Sequence, residues 1–237
     1  MTVIRVIDFE TTGTEPVDGA AVCEVGTCDL DLEAGTIHPA RSWMCGVSKM
    51  PPEVRAVHHI ALADCENWEP FQTAQLFDEG LNATPNVDAV AAHNAEFETK
   101  FFASPIPVIC TYKVALRVWP SAPAHNNGTL RYWLEDQGKI APDHALTQPA
   151  HRAGPDAYVT AHILKALFDT GLTGKEMVAW TKEPRLLPTC PIGKFRGQPW
   201  SEVEAGFLGW MLRQPTMEAD LKWNAEREIS RRAQAAG

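Results

Sequence analysis

The segment 3–13, VIRVIDFETTG, constrains the fold most, because two carboxylates close an apolar run that otherwise reads as a buried strand. Strand side chains alternate between faces, so Asp8 and Glu10 point the same way, one repeat apart. Two anions placed like that repel each other unless something positive sits between them. A divalent cation is the obvious candidate.

The rest of the chain supplies a frame for such a strand. AAVCEVGTCDLDL (20–32) alternates as a second strand, and 36–45 reads as a weaker third before a Pro51-Pro52 turn. The spacing then predicts a helix over 71–80, a strand over 87–92, a helix over 95–102 and a strand over 106–110. Further helices follow over 112–118, ended by Pro120, over 129–137, ended by Gly138, and over 155–169, ended by Gly171. That order implies an α/β fold, a mixed sheet covered by helices. With 237 residues there is room for one large domain, or an ordinary domain with a small appendage. The character shifts after Gly171, which predicts a main domain over 1–172, a linker over 173–187 and a small C-terminal module over 188–237.

Two more acidic positions stand on predicted apolar faces. In VDAVAAHNAEFETKFF (87–102), a helix capped by Asn94 would set Glu98 on one face with Phe97, Phe101 and Phe102, while Glu96 faces water. A carboxylate on such a face is costly unless it is paired or bound to metal. In HRAGPDAYVTAHILKALF (151–168), Pro155 suits a first helical turn, and Asp156 shares the face of Val159, Ile163 and Leu167. His151 precedes that helix on a loop free to reach the same place. Four carboxylates and a histidine converging on one sheet edge are the parts for two-metal phosphoryl hydrolysis, with a general base to deprotonate the water. The ligands are hard oxygens and no Cys/His cluster has zinc spacing, so the expected ions are two Mg²⁺ or Mn²⁺.

DFETTG, AHNAEFE and HRAGPDA, in this order, are similar to the three signature motifs of the DEDD 3′→5′ exonuclease superfamily in its His-containing branch. AVHHIALAD, ICTYKVALRVWP and IGKFRGQPWSEV resemble a bacterial DNA exonuclease of that branch that carries a C-terminal module, so the likeness spans nearly the whole chain. The resemblance implies a ribonuclease H-like fold, Asp8, Glu10, Glu98 and Asp156 as metal ligands, and His151 as general base. It further implies that Thr12 and Gly13 line the pocket for the terminal nucleotide, and that His58 and Asn94 contact substrate or brace the site. Glu98 stands where the family usually has aspartate. The implied activity is release of nucleoside 5′-monophosphates from DNA 3′ ends, in DNA repair. RNA trimming, or a non-catalytic module that only holds nucleic-acid ends, are the alternatives.

Charge and cysteine usage fit these expectations. The formal charge is −9, yet from Arg185 onward eight Lys/Arg oppose six Asp/Glu, which leaves residues 1–184 at −11. An acidic body still works on nucleic acid if metal ions neutralise its acids and a basic appendage helps to hold the strand. In that appendage Lys194, Phe195 and Arg196 are the expected strand contacts, whereas Trp210 and Trp223 are expected as core. Six cysteines without a CxxC pair, and an N-terminus without signal-peptide features, predict reduced thiols in a cytoplasmic protein. No apolar stretch approaches the roughly 18 residues of a membrane span, so no membrane partner is expected.

Overall fold

The computed structural model of this protein describes residues 2–84 and 86–235. Its centre is a six-stranded mixed sheet made of β1 (Val3–Thr11), β2 (Val22–Asp31), β3 (Thr36–Ile37), β4 (Arg41–Met44), β5 (Ala89–Ala92) and β6 (Val108–Cys110). The strands lie in the order β3-β2-β1-β5-β6, and β4 shares the outer edge of β2 with β3. β2 runs antiparallel to β1, whereas β5 and β6 run parallel to it, so the C-terminal ends of β1, β5 and β6 meet on one side. In open sheets of this kind that side is where ligands bind.

The alternation read from β1 sorts its residues into two cores. Ile4 and Val6, with Cys28 and Leu30 of β2, pack under α4 (Ala153–Phe168) through Ala157, Ala161 and Leu164. Ile7 and Phe9, with Val25 and Val90, face the other layer, where Leu76 and Phe102 cover them. Asp8 and Glu10 therefore continue the stripe that begins with Ile4 and Val6, on the α4 side. Within the second layer Arg5 is buried and bonds both Asp29 oxygens at 2.8 Å and the carbonyls of Leu76 and Thr84 at 2.5 and 2.6 Å. A buried guanidinium saturated in this manner fixes the long 76–84 connection beneath the sheet.

Glycine decides how closely α4 approaches. A Cβ at Gly26 of β2 would lie 2.0 Å from the Ala153 carbonyl oxygen, so only glycine admits the start of the helix at that point. Gly154 likewise comes close to Ser42 of β4, where a Cβ would meet the serine Cβ at 3.2 Å. Gly26 is also the ladder partner of Asp8, so this contact sets the start of α4 directly over the first carboxylate.

Several local expectations change. Residues 95–102 form no helix: Asn94 has a left-handed φ of 69°, the Phe97 amide bonds the Asn94 carbonyl at 2.8 Å, and only a 3₁₀ turn at Glu98–Lys100 follows. Asn94 is thus the pivot of a tight turn and not a helix cap, in keeping with the tolerance of asparagine for that region. The helix expected over 71–80 shrinks to a 3₁₀ turn at Thr73–Phe77, and 36–45 breaks into β3 and β4. The Pro51-Pro52 turn instead opens α1 (Pro52–His58), with proline at the first helical position. α2 (Thr111–Val118) and α3 (Asn127–Asp136) stand near their expected places.

The segment 173–187, expected as a linker, carries α5 (Gly174–Lys182), whose Met177 is buried in the main core. Its continuation is fastened to α2 by Lys113, which donates to the carbonyls of Thr181 and Glu183 at 3.1 and 3.0 Å, and by an Arg117–Glu183 pair at 2.8 Å. Beyond it α6 (Ala205–Arg213) and α7 (Ala219–Ala235) close over a second core containing Cys190, Phe195, Trp200, Leu208 and Met211. Phe195 is therefore core and not a free strand contact. Trp210 is the reverse case, 41% exposed, because Leu208 and Met211 take the inner face of α6 and leave it outside. Trp223 is half-buried, with the Arg117 guanidinium 5.7 Å from its ring centre. No helix among the described residues is long and apolar enough to cross a membrane.

Candidate active site

Asp8 and Glu10 leave the end of β1, Asp156 comes from the first turn of α4, and Glu98 from the 3₁₀ turn after β5. One carboxylate oxygen from each of Asp8, Glu10 and Asp156 lies within 4.8 Å of the other two. Glu98 is only 4% exposed, and its Oε2 is buried without a hydrogen-bond partner.

The acids raise one another's pKa. Burial, then the charges of Asp156, Glu98, Glu10 and Glu24, pushes Asp8 well above the carboxylate range. Burial, with Asp156 and Glu24 adding to it and Arg152 opposing, raises Glu10 to about 8. Burial, with a smaller contribution from Glu10, raises Glu98 to about 8 as well, against an opposing bond from its own backbone. Asp156 is raised by burial despite the favourable presence of His151. A set of carboxylates that resist ionising together, one with an orphaned buried oxygen, fits divalent cations with a preference for hard oxygen ligands.

His151 sits on the loop before α4 with a left-handed φ of 58°, and its backbone amide bonds Asp156 Oδ2 at 3.1 Å. The loop geometry therefore ties the histidine to one of the clustered acids. Thr12 is buried, and its hydroxyl accepts from the Ala21 amide at 3.0 Å, beside Gly13 at the mouth of the β1–β2 connection. His58 is 2% exposed at the end of α1, its Nδ1 accepting from the Ile60 amide at 3.0 Å, and burial lowers its pKa. Asn94 is exposed on its turn, four residues before Glu98. Lys194 and Arg196 are exposed on the loop of the second core, where Lys194 pairs with Glu204 at 3.0 Å.

Two neighbours escaped the sequence reading. Glu24, 2% exposed in β2, faces Glu10 across the ladder and accepts both Arg152 nitrogens at 2.8 Å and the Ala153 amide at 3.1 Å. The signal was present: an acid inside an alternating strand, on the same repeat as the glycine that admits α4.

Residues 6–164 match a family model described as Exonuclease, a span that holds all four acids and His151. The chain belongs to the exonuclease family. Exodeoxyribonuclease 10 of Escherichia coli is 27% identical to it over 217 residues, covering 88% of this chain and 90% of that protein. Among solved structures, exonuclease X in complex with 5′ overhanging duplex DNA is 25% identical, covers 75% of this chain and 99% of its own, and has a TM-score of 0.61. The nuclease domain of 3′hExo, a DEDDh family member bound to rAMP, shares the fold at 14% identity, covering 72% of this chain and 93% of its own with a TM-score of 0.54. This exonuclease accordingly has the ribonuclease H-like fold of its relatives, with the acidic cluster at the open end of the sheet. It is a phosphodiester hydrolase of the DEDD type.

Proposed function

We propose that this exonuclease removes nucleoside 5′-monophosphates from the 3′ ends of DNA, single-stranded or duplex, in DNA repair. Asp8, Glu10, Glu98 and Asp156 hold two Mg²⁺ or Mn²⁺ ions in this reading, and His151 is the general base. The observation that carries it is the approach of the Asp8, Glu10 and Asp156 oxygens to within 4.8 Å of one another. When bound, the ions supply an activated water and neutralise charge on the phosphate and departing oxygen.

The chain's own groups do the remainder. His151 accepts the proton of the attacking water on an imidazole nitrogen, and its loop is held in register by the amide bond to Asp156. Thr12 and Gly13 border the place of the terminal nucleotide. The buried His58 braces that border, and the exposed Asn94 lies where it can touch the strand. Lys194 and Arg196 add a positive approach to the C-terminal module. The exodeoxyribonuclease relative supports DNA over RNA, and retention of all four acids speaks against a module that only holds ends. Six free, buried thiols support a cytoplasmic place for it.

Matched DNA and RNA oligonucleotides, labelled at either end, test the proposal in Mg²⁺, Mn²⁺ and EDTA. Mononucleotides should leave the 3′ end of DNA, faster than that of RNA, and only with metal. Release from the 5′ end, or turnover in EDTA, would overturn it.

A further inference from the structure

Beside the acidic cluster, where β5 and β6 end, a polar recess of about 380 Å³ opens between α2, the start of α3 and the segment after α5. It shares walls with the cluster. Asn127 donates from Nδ2 to the Asp156 carbonyl at 3.2 Å and to Thr160 Oγ1 at 2.9 Å, while its Oδ1 is buried without a partner. Asn94 also lines the recess and opens the turn that precedes Glu98. His93 lines it too, held by its two ring nitrogens on Thr111 Oγ1 at 2.9 Å and the His125 carbonyl at 2.7 Å.

The charge of this recess differs from that of the surrounding body. Among the described residues no carboxylate lines it, and Arg185, whose acidic partners are Asp220 and the exposed Glu218, brings a guanidinium to it beside Tyr112. Residues 1–184 carry a net −11, and the acids of the cluster stand next door, so a polyanionic strand is repelled along most approaches. In the recess its backbone meets a cation. The cation comes from outside the catalytic body: Asp220 of α7 holds the Arg185 backbone amide at 2.8 Å and also its Nε, while Asn224 donates to the Arg185 carbonyl at 2.7 Å and accepts from the Leu187 amide at 3.0 Å. Nε is engaged by Asp220 and Nη2 lies 3.7 Å from the exposed Glu218 carboxylate, beyond hydrogen-bond length, so the terminal nitrogens still carry donors in the geometry that suits a phosphate.

We propose that the recess binds an internucleotide phosphate upstream of the terminal nucleotide, with Arg185 as its cation and Tyr112 and Asn94 as hydrogen-bonding neighbours. α7 then serves the exonuclease by holding Arg185 across the recess. This assignment rests on the reading of the adjacent cluster as the hydrolytic centre for DNA, which fixes which way the strand runs.

The test is a linkage scan on the full chain. Oligonucleotides in which one phosphodiester at a time is replaced by a neutral methylphosphonate are titrated by fluorescence anisotropy in EDTA. Wild type should lose affinity by about tenfold at one linkage near the 3′ end, the usual worth of a charge-assisted bond. Arg185→Gln should lose the same factor on the unmodified strand and lose nothing more when that linkage is neutralised. Tyr112→Phe, which leaves the Asp220 contacts in place, should weaken binding at that same linkage, so undocking of α7 cannot imitate the result. A flat scan, or losses that multiply for Arg185→Gln at every linkage, would overturn the recess. Cleavage of the same strands is scored separately in Mn²⁺. If wild type cleaves none while the coupling in binding persists, the hydrolytic reading fails and the phosphate site stands.

Discussion

Arg152 meets Glu24 through two parallel bonds of 2.8 Å, Nε to Oε2 and Nη2 to Oε1, directly across the ladder from Glu10. The same carboxylate takes the Ala153 amide, so one buried acid grips the residue after His151 and the first residue of α4. Breaking a buried pair by removing one partner costs about 3–5 kcal/mol, because it strands a charge, whereas exchanging both for apolar groups is often neutral. Arg152→Met should therefore lower the melting temperature and reduce turnover, and adding Glu24→Leu should restore most of the stability but little of the turnover. Thermal melts beside single-turnover rates check this. A double variant as unstable as the single one would deny the clamp.

Gly26→Ala probes the same joint from the sheet side. A Cβ there meets the Ala153 carbonyl oxygen at 2.0 Å, and that atom belongs to backbone, which cannot swing aside. The start of α4 must lift, carrying Asp156 away from Asp8, the ladder partner of Gly26. A displacement of about 1 Å costs on the order of 100-fold in rate. Circular dichroism should stay near wild type while turnover collapses, and full turnover would show that α4 can sit farther out.

These two residues also show what the sequence could reveal. Asp8, Glu10 and Asp156 were legible because strand alternation and helical period each assign a face, and the faces converge as expected. Glu24 obeys the same alternation, but its burial depends on β4 covering its strand and α4 covering its face, contacts that arise from residues far along the chain. Asn94 pivots a turn where periodicity predicts a helix cap, since a left-handed φ leaves no trace in apolar periodicity. Trp210 looked like core by its composition alone, whereas the three-residue spacing of Leu208 and Met211 already turned it outward. The 173–187 segment reads as Pro-punctuated, yet Lys113 and Arg117 fasten it, which no local pattern announces.

The metal-free exonuclease should lose stability as pH rises. Unfolded glutamates titrate near 4.5, and in the fold Glu10 and Glu98 are raised to about 8, by burial first and then by neighbouring acids. The native state binds more protons than the unfolded chain between those values. The contribution is therefore full below about 4.5 and is lost as pH passes through about 8. In EDTA the melting temperature should fall between about pH 4.5 and about pH 8 beyond any fall in Asp8→Asn, which relieves part of the repulsion. Mn²⁺ should raise it more at the higher pH, where the carboxylates are free to bind. Identical slopes for wild type and Asp8→Asn would show that the cluster does not set the pH dependence.

If Glu98 is a metal ligand, as proposed, it should set the choice of metal. It has one methylene more than the aspartate usual in the family, and it starts from a 3₁₀ turn in a buried place, where its Oε2 has no partner to direct it. Its carboxylate must fold back or reach through a water to bind an ion, and either arrangement loosens the ligand set. Mg²⁺ demands near-ideal octahedral geometry and tolerates this less well than Mn²⁺. Wild type should then be markedly faster in Mn²⁺ than in Mg²⁺. Glu98→Asp should shift that ratio toward Mg²⁺ while keeping or raising the rate, and Glu98→Ala should nearly abolish turnover in both. The ratio of rates at saturating metal is the measurement, because it cancels losses of folded protein. Full activity of Glu98→Ala with either ion would remove Glu98 from the ligands, and Glu96 offers no substitute, since its carboxylate is exposed and paired with Lys113 at 2.6 Å.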